Sequence, residues 1–370
     1  MKNKRLICWL LVIVFCFTLV SCQDSTAVSS DVVSAVSSEA VSDEVSNVSS
    51  EVSSESVVSE TSSEATSSEP EPWWDGPTPL LYRVTDDDKH VIWVFGSIHV
   101  GRDEFYPFPD YLYYSYSNAE VLAVEADVVS FQEDAEAQIK ALTNFLYLDG
   151  TTIRNHLSND VYNRAVEVLK EIGVYTAEWD YYCPYFWANT IDSFTYAAAG
   201  IDATLGIDLN LLYDAIENGK TVEEIESADF QYKMFAGFSD ELQEILLEAS
   251  IESYKNPDLI KEETDKLLDL WASGDEEALV EYLGSEDDFL ADDEKELYEE
   301  YNKKVIIDRN VSMTEYAENA LKSGKKTFVC VGAAHVVGEG GIIDLLEQKG
   351  YTITPVTLSK YPMEYSYLWQ

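Results

Sequence analysis

"TFVCVGAAHVVGEGG", residues 327–341, begins as an apolar run with strand character and breaks at Gly332, three residues before His335. Residues 91–101, "VIWVFGSIHVG", repeat the device: an apolar run, then Gly96, then His99. The chain holds four histidines, and two of them sit this way. With glycine at about 7 % of residues, that coincidence arises in only a few per cent of random chains. A single histidine after a strand reads as a hydrogen-bonded residue at a sheet rim. The repetition and the shared strand-end placement point to a site instead. In α/β sheets ligands bind beyond the carboxyl ends of strands. A glycine there lets the chain turn sharply and admits a ligand to the backbone, and the histidine projects into the crevice.

"LLYRVT" (80–85) and "HVIWVFGS" (90–97) read as a hairpin joined by the turn-rich "DDDK". "VLAVEAD" (121–127) reads as a short buried strand, and "KTVEEIES" (220–227) as holding another. "YTITPVTL" reads as a final strand, reached from the strand at 327 by a parallel crossover through "GGIIDLLEQKG". Helical spacing covers residues 132–146, 184–199, 207–218, 239–253, 257–272, 275–283 and 293–321, and "FPDYLYYSYSNAE" is helical too. In "SNDVYNRAVEVLKEIGV", Ser158 is the expected N-cap and Gly173 the stop. Strands at both ends with helices between define an α/β or α+β fold: a central mixed sheet, helical covers and a helical middle.

Composition narrows the function. With 69 acidic and 24 basic residues, a net charge of −45 argues against nucleic acid, which needs clustered Lys and Arg. It argues equally against electrostatic docking on anionic lipid. Lys2, Lys4 and Arg5 followed by apolar Leu6–Val20 read as a secretory signal, residues 1–22. Its end, Leu19-Val20-Ser21-Cys22, is the pattern of a bacterial lipobox, with Cys22 as the lipidated first residue of the mature chain. The competing reading is an uncleaved anchor, but the apolar run is shorter than the ~20 residues of a spanning helix. Residues 23–72 are rich in Ser, Val and Glu and carry no aromatic residue, Lys or Arg, so they read as a disordered tether. As a coil its ends would lie roughly 40 Å apart. Residues 73–370 form the folded domain. Within it only Cys183 and Cys330 remain; Cys330 reads as a buried thiol, and a Cys183–Cys330 bridge is the alternative.

Glu125 closes the run "VLAVEA". A carboxylate after such a run is a buried ion-pair partner or part of a site. If its strand lies beside the one leading to His99, both side chains emerge at one sheet edge. His99, His335 and Glu125 are then the donors a zinc, manganese or cobalt site needs, and a metal there would make a nucleophile of water near neutral pH. Asp208, in "GIDLNLL", is a further candidate ligand, or a carboxylate favoured by a helix N-terminus. Arg309 and Asn310, in "IIDRNVSM", read on their own as a solvated helix face. In a site, Arg309 would neutralise a developing oxyanion and Asn310 would hold substrate or a metal water. Glu226 is either a second layer of the site or exposed, and Glu339 reads as a helix N-terminal acid rather than a ligand. His90 and His156 lack the pattern and read as surface residues.

These blocks, with "WASGDEEAL" and "VGAAHVVGEGGIIDLLEQKGY", resemble the TraB/PrgY/GumN group, which includes the Tiki membrane proteases. The resemblance spans roughly residues 78–358, and its blocks keep the family order. It implies a fold like that of the erythromycin esterase and ChaN group. It also implies a manganese- or cobalt-dependent peptidase site at His99, Glu125, Arg309, Asn310 and His335, with Asp208 beside them. The expectation is a lipid-anchored, metal-dependent hydrolase acting on a peptide or protein, with Glu125 as either ligand or general base. A peptide-sequestering receptor and a metal-independent ester hydrolase are the two alternatives.

Overall fold

The structure, a computed structural model, describes residues 74, 76–284 and 292–358. The expected signal 1–22 and tether 23–72 lie outside the described residues. Six strands form one sheet: β1 Leu81–Thr85, β2 Val91–Ser97, β3 Val121–Val124, β4 Thr221–Glu224, β5 Thr327–Gly332 and β6 Thr352–Pro355. Their order across the sheet is β4-β3-β5-β2-β1-β6. β2, β3, β4 and β5 run parallel, and β1 runs antiparallel to both β2 and β6, so the sheet is mixed.

The positions of the strands follow from their side chains. β5 is buried from Thr327 to Val331, as an unbroken apolar strand must be when both faces of a parallel sheet are covered. β4 (TVEE) and β6 (TITP) are the two edges, and their charges and proline discourage pairing with another chain. The β1–β2 hairpin is as expected. Its turn is held by Asp86, whose backbone oxygen accepts from Lys89 N–H at 3.2 Å and whose carboxylate accepts from His90 N–H at 2.8 Å. The closing crossover through helix Ile342–Gln348 is parallel, as expected, but joins strands that are not neighbours. β5 and β6 run in one direction, but β2 and β1 lie between them.

The helices divide between two hydrophobic cores. One lies against the sheet and includes Phe95, Leu112, Leu122, Trp271, Phe328 and Leu346. The other is wholly helical and includes Phe145, Leu169, Trp187, Phe235, Leu247 and Val305. Short polar side chains set the helix starts. Ser158, Ser227 and Ser239 accept from Val161, Phe230 and Leu242 N–H, satisfying donors the helix cannot. The helical spacing over residues 132–146 resolves into two helices, Val128–Glu133 and Ala135–Leu142, and a 3-10 turn. Asp134 breaks the run because its carboxylate caps Ala137 N–H from an extended backbone. The spacing over 293–321 is likewise interrupted. Helix Asp292–Asn302 passes through a π-turn, Lys303–Ile307, into helix Asp308–Ser323. A π-turn adds a residue to one turn and rephases the face that follows. Val305 stays in the helical core, and Arg309 and Asn310 turn inward to 5 % and 3 % exposure.

Cys183 and Cys330 are both buried free thiols, so the alternative bridge is not formed. No helix among the described residues is long and apolar enough to cross a membrane.

Candidate active site

Three adjacent parallel strands, β3, β5 and β2, end at one edge of the sheet. Glu125 is the first residue after β3, Gly332 closes β5, and His99 follows β2 by two residues. β3 is not directly beside β2, since β5 separates them, yet Glu125 and His99 still emerge at one sheet edge. That order gives Glu125 its first partner. Gly332 N–H donates to Glu125 Oε1 at 2.7 Å.

The two Gly-x-x-His stretches are not copies in space. Gly332 ends its strand and caps a single helical turn, Ala333–Val336, which carries His335. Gly96 still lies inside β2, paired with Val331. A Cβ on Gly96 would stand 3.0 Å from Ala333 Cα and 3.1 Å from Ala333 Cβ. The glycine of the first stretch is thus the seat on which the helical turn of the second rests. His99 is held by a different contact. Ile207 N–H donates to Ile98 O at 2.9 Å, and a Cβ on Gly206 would stand 2.6 Å from His99 O.

Each histidine is oriented through Nδ1. Asp208, in the first turn of helix Ile207–Glu217, places Oδ2 2.7 Å from His99 Nδ1. Asn310 places Oδ1 2.7 Å from His335 Nδ1 and donates through Nδ2 to Gly340 O at 2.9 Å. Because that amide is spoken for, Asn310 Oδ1 accepts and His335 Nδ1 carries the proton. The lone pair of His335 is left on Nε2. The two rings differ in charge. Burial opposes a charge on His99, but Asp208 and then Glu125 outweigh it and raise its pKa to about 9. Burial and the Arg309 charge together lower His335 to about 3, against the pull of Glu125.

Glu125 is 6 % exposed. Burial would raise its pKa, but Arg309, His335 and His99 lower it to about 2, so it is ionised at neutral pH. Arg309 Nη2 donates to Glu125 Oε2 at 2.5 Å. The same guanidinium is gripped by Glu226, from Nε to Oε1 at 2.9 Å and from Nη2 to Oε2 at 2.9 Å. A cavity of about 60 Å³ meets these groups. Its polar side is Ser97, His99, Glu125, Arg309, Gly332 and His335; its apolar side includes Phe235, Leu267, Trp271, Leu279 and Val305. Trp271 belongs to the sheet core and Phe235 and Val305 to the helical core, so the cavity lies on the seam between the two.

Every residue carried over from the sequence lies at this seam or directly behind it. Arg309 and Asn310 are inward, not a solvated face, because the π-turn and their partners on distant segments bury them. Glu226 is buried too, its side chain 4 % exposed. It sits in a run of three acids among four residues, which disguises it. Gln231 and Trp271 carry no sequence signal of a site. Yet Gln231 Nε2 donates to both glutamates, and Trp271 Nε1 donates to Gly96 O at 2.8 Å. Glu339 is exposed and precedes helix Ile342–Gln348, outside the site. His90 is partnered by Asp86. His156 is not a plain surface residue: it stacks on Tyr147 with ring centres 4.1 Å apart, between Asp240 and Thr151.

The donor chemistry fits a divalent cation. Two imidazoles whose Nδ1 atoms are fixed by oxygen acceptors are the arrangement that metal-binding histidines adopt. The charges agree. Two carboxylates (Glu125 and Glu226) face one guanidinium, and a third (Asp208) faces His99, so the site holds more negative than positive charge even with a proton on His99. The atoms are not drawn together as a ligand trio, however. Among the described residues, the one such group within 4.8 Å is Asp86, Asp88 and His90 in the hairpin turn.

A mixed α/β sheet with this polar edge under a helical cover defines the class of protein. The model of the TraB/PrgY/gumN family matches residues 80–355, and the chain belongs to that family. It is 24 % identical over 253 residues to the uncharacterized protein YbaP of Escherichia coli (strain K12), covering 68 % of this chain and 86 % of that protein. The YbaP of Shigella flexneri is also 24 % identical, over 70 % of this chain and 87 % of its own length. No solved structure matches the chain.

Gly96→Ala is expected to force the His335 turn off its seat. It should cost about 1–3 kcal/mol of stability, the usual penalty of overpacking, read from urea unfolding. A loss no larger than the few tenths typical of a surface change would contradict the seat.

Proposed function

We propose that the protein is a metal-dependent hydrolase, and that it is a peptidase. The observation that carries this is the pair of imidazoles fixed through Nδ1 at the mouth of one cavity, beside an ionised glutamate. His99 and His335 would hold a manganese, cobalt or zinc ion through Nε2, with Glu125 beside it; binding would release to solvent the proton that His99 carries there at neutral pH. A bound divalent cation supplies Lewis-acid polarisation of a carbonyl and a more acidic water.

The chain's own residues do the rest. Asp208 and Asn310 fix the tautomer and direction of each ring, so neither needs reorienting when a ligand arrives. Glu125, ionised at neutral pH, serves as a ligand or accepts a proton from water. Arg309 is held close by its two glutamates and offers a fixed positive charge where negative charge develops on a substrate oxygen. The apolar wall excludes bulk water and strengthens each of these interactions.

A second reading has its own support. The 2.7 Å His99–Asp208 pair suits a metal-free ester hydrolase in which His99 acts as base once it has lost the proton it holds at neutral pH, so that activity should rise toward pH 9. A non-catalytic peptide receptor would use the same cavity without turnover. We further propose that Cys22 carries a lipid and that residues 23–72 tether the domain outside the membrane, on the strength of the lipobox pattern and tether composition.

Purified protein is expected to bind one Mn, Co or Zn per chain by elemental analysis and to digest a peptide library. His99→Ala and His335→Ala should each weaken metal binding at least about tenfold and abolish cleavage. Ester cleavage that survives a chelator selects the second reading, and tight peptide binding without turnover selects the receptor. For the anchor, mass spectrometry of the membrane-fraction protein should find an N-terminus at Cys22 carrying a diacylglycerol; an N-terminus at Met1 with unmodified Cys22 would rule the lipid out.

A further inference from the structure

Two glutamates stand side by side at the end of the sheet. Glu226 N–H donates to Glu125 O at 2.9 Å, which continues the β3–β4 pairing beyond both strands. Their side chains are both buried, at 6 % and 4 % exposure. Two buried carboxylates repel, and such a pair needs a use. One arginine would satisfy Glu125 alone. Instead Arg309 gives Glu226 the larger share of its donors: Nε lies 2.9 and 3.1 Å from the two Glu226 oxygens, and Nη2 lies 2.9 Å from Oε2. Glu125 receives one nitrogen on one oxygen.

Gln231 ties the pair together. It is fully buried, and its Nε2 donates to Glu226 Oε2 at 3.0 Å and to Glu125 Oε2 at 3.3 Å. Its Oε1 is buried with no hydrogen-bond partner. Flipping the amide would set that oxygen against two carboxylates, so the orientation is fixed by charge, and the unpaired acceptor is the cost of the crossbar.

We propose that Glu226 is a positioning residue: with Gln231 it clamps Arg309 so that the guanidinium cannot close on both oxygens of Glu125. Glu125 Oε1 then keeps its Gly332 contact and its capacity at the cavity. The inference rests on the metal-site reading for its purpose, though not for its geometry. Without Glu226, Arg309 has one buried carboxylate left, and bidentate pairing is its most favourable arrangement.

Two measurements on the purified protein decide the matter. In a crystal structure of Glu226→Gln, the Arg309 guanidinium should turn to contact both Glu125 oxygens, with the Gly332 N–H contact lengthened or lost. Arg309 staying in place, with one contact to Glu125, would overturn the clamp. This arm needs no metal, so it decides the clamp even if the hydrolase reading fails. In calorimetric titration with Mn or Zn, Glu226→Gln should bind about tenfold more weakly or worse. The effect should disappear when Arg309→Gln is already present, because Glu226 acts through Arg309. A loss that persists in that background would show a general disturbance and overturn the assignment. Gln231→Met, which keeps the side-chain volume, should move both readouts in the same direction by less; no movement in either would remove Gln231 from the clamp.

Discussion

One buried carboxylate organises this molecule. Glu125 leaves the apolar strand β3 buried, and an unpaired carboxylate there would cost several kcal/mol. Its partners come from three other parts of the chain: Gly332 N–H at the end of β5, Arg309 on the helix before β5, and Gln231 Nε2 on helix Ala228–Ala236. Removing one partner of such a pair commonly costs about 3–5 kcal/mol, so the contact that fixes the strand order also holds the candidate site together. β5 must lie next to β3 for Gly332 to reach Glu125. The helix must turn inward at the π-turn for Arg309 to do so. Both histidines then fall at the same edge because the strands that lead to them flank and include β5.

The repeated Gly-x-x-His device has a different meaning in each place. In "FGSIH" the glycine is a missing side chain, and its space is filled by Ala333. In "VGAAH" the glycine offers its N–H to Glu125, and a Cβ there would sit 3.4 Å from Glu125 Oε1. The two motifs are therefore parts of one joint rather than two copies of one site. Each histidine meets its own oxygen acceptor, a carboxylate behind His99 and an amide behind His335. That difference, with Arg309 nearby, is why one ring favours its proton and the other does not.

Much of this was legible in the residues, and the exceptions have physical causes. Apolar runs announced β2, β3 and β5, the hairpin turn showed its Asp cluster, and Ser158 and Gly173 marked a helix at both ends. Glu125 stood out because an acid rarely ends a buried strand without a reason. The strand order was hidden, because adjacency depends on contacts more than 200 residues apart, such as that between Glu125 and Gly332. Arg309 and Asn310 looked solvated because nothing local buries them; Glu226 and Gly340 do so from afar. The π-turn has no glycine or proline to signal it. Gln231 and Trp271 are ordinary members of amphipathic helices until the sheet edge is placed against them.

In the proposed hydrolase, His99 and His335 share one cation beside Glu125. Anomalous diffraction from crystals soaked in manganese or zinc tests it most directly. One strong peak is expected in the cavity, bonded to Nε2 of both histidines. A peak confined to the hairpin cluster of Asp86, Asp88 and His90, with the cavity empty, would contradict it.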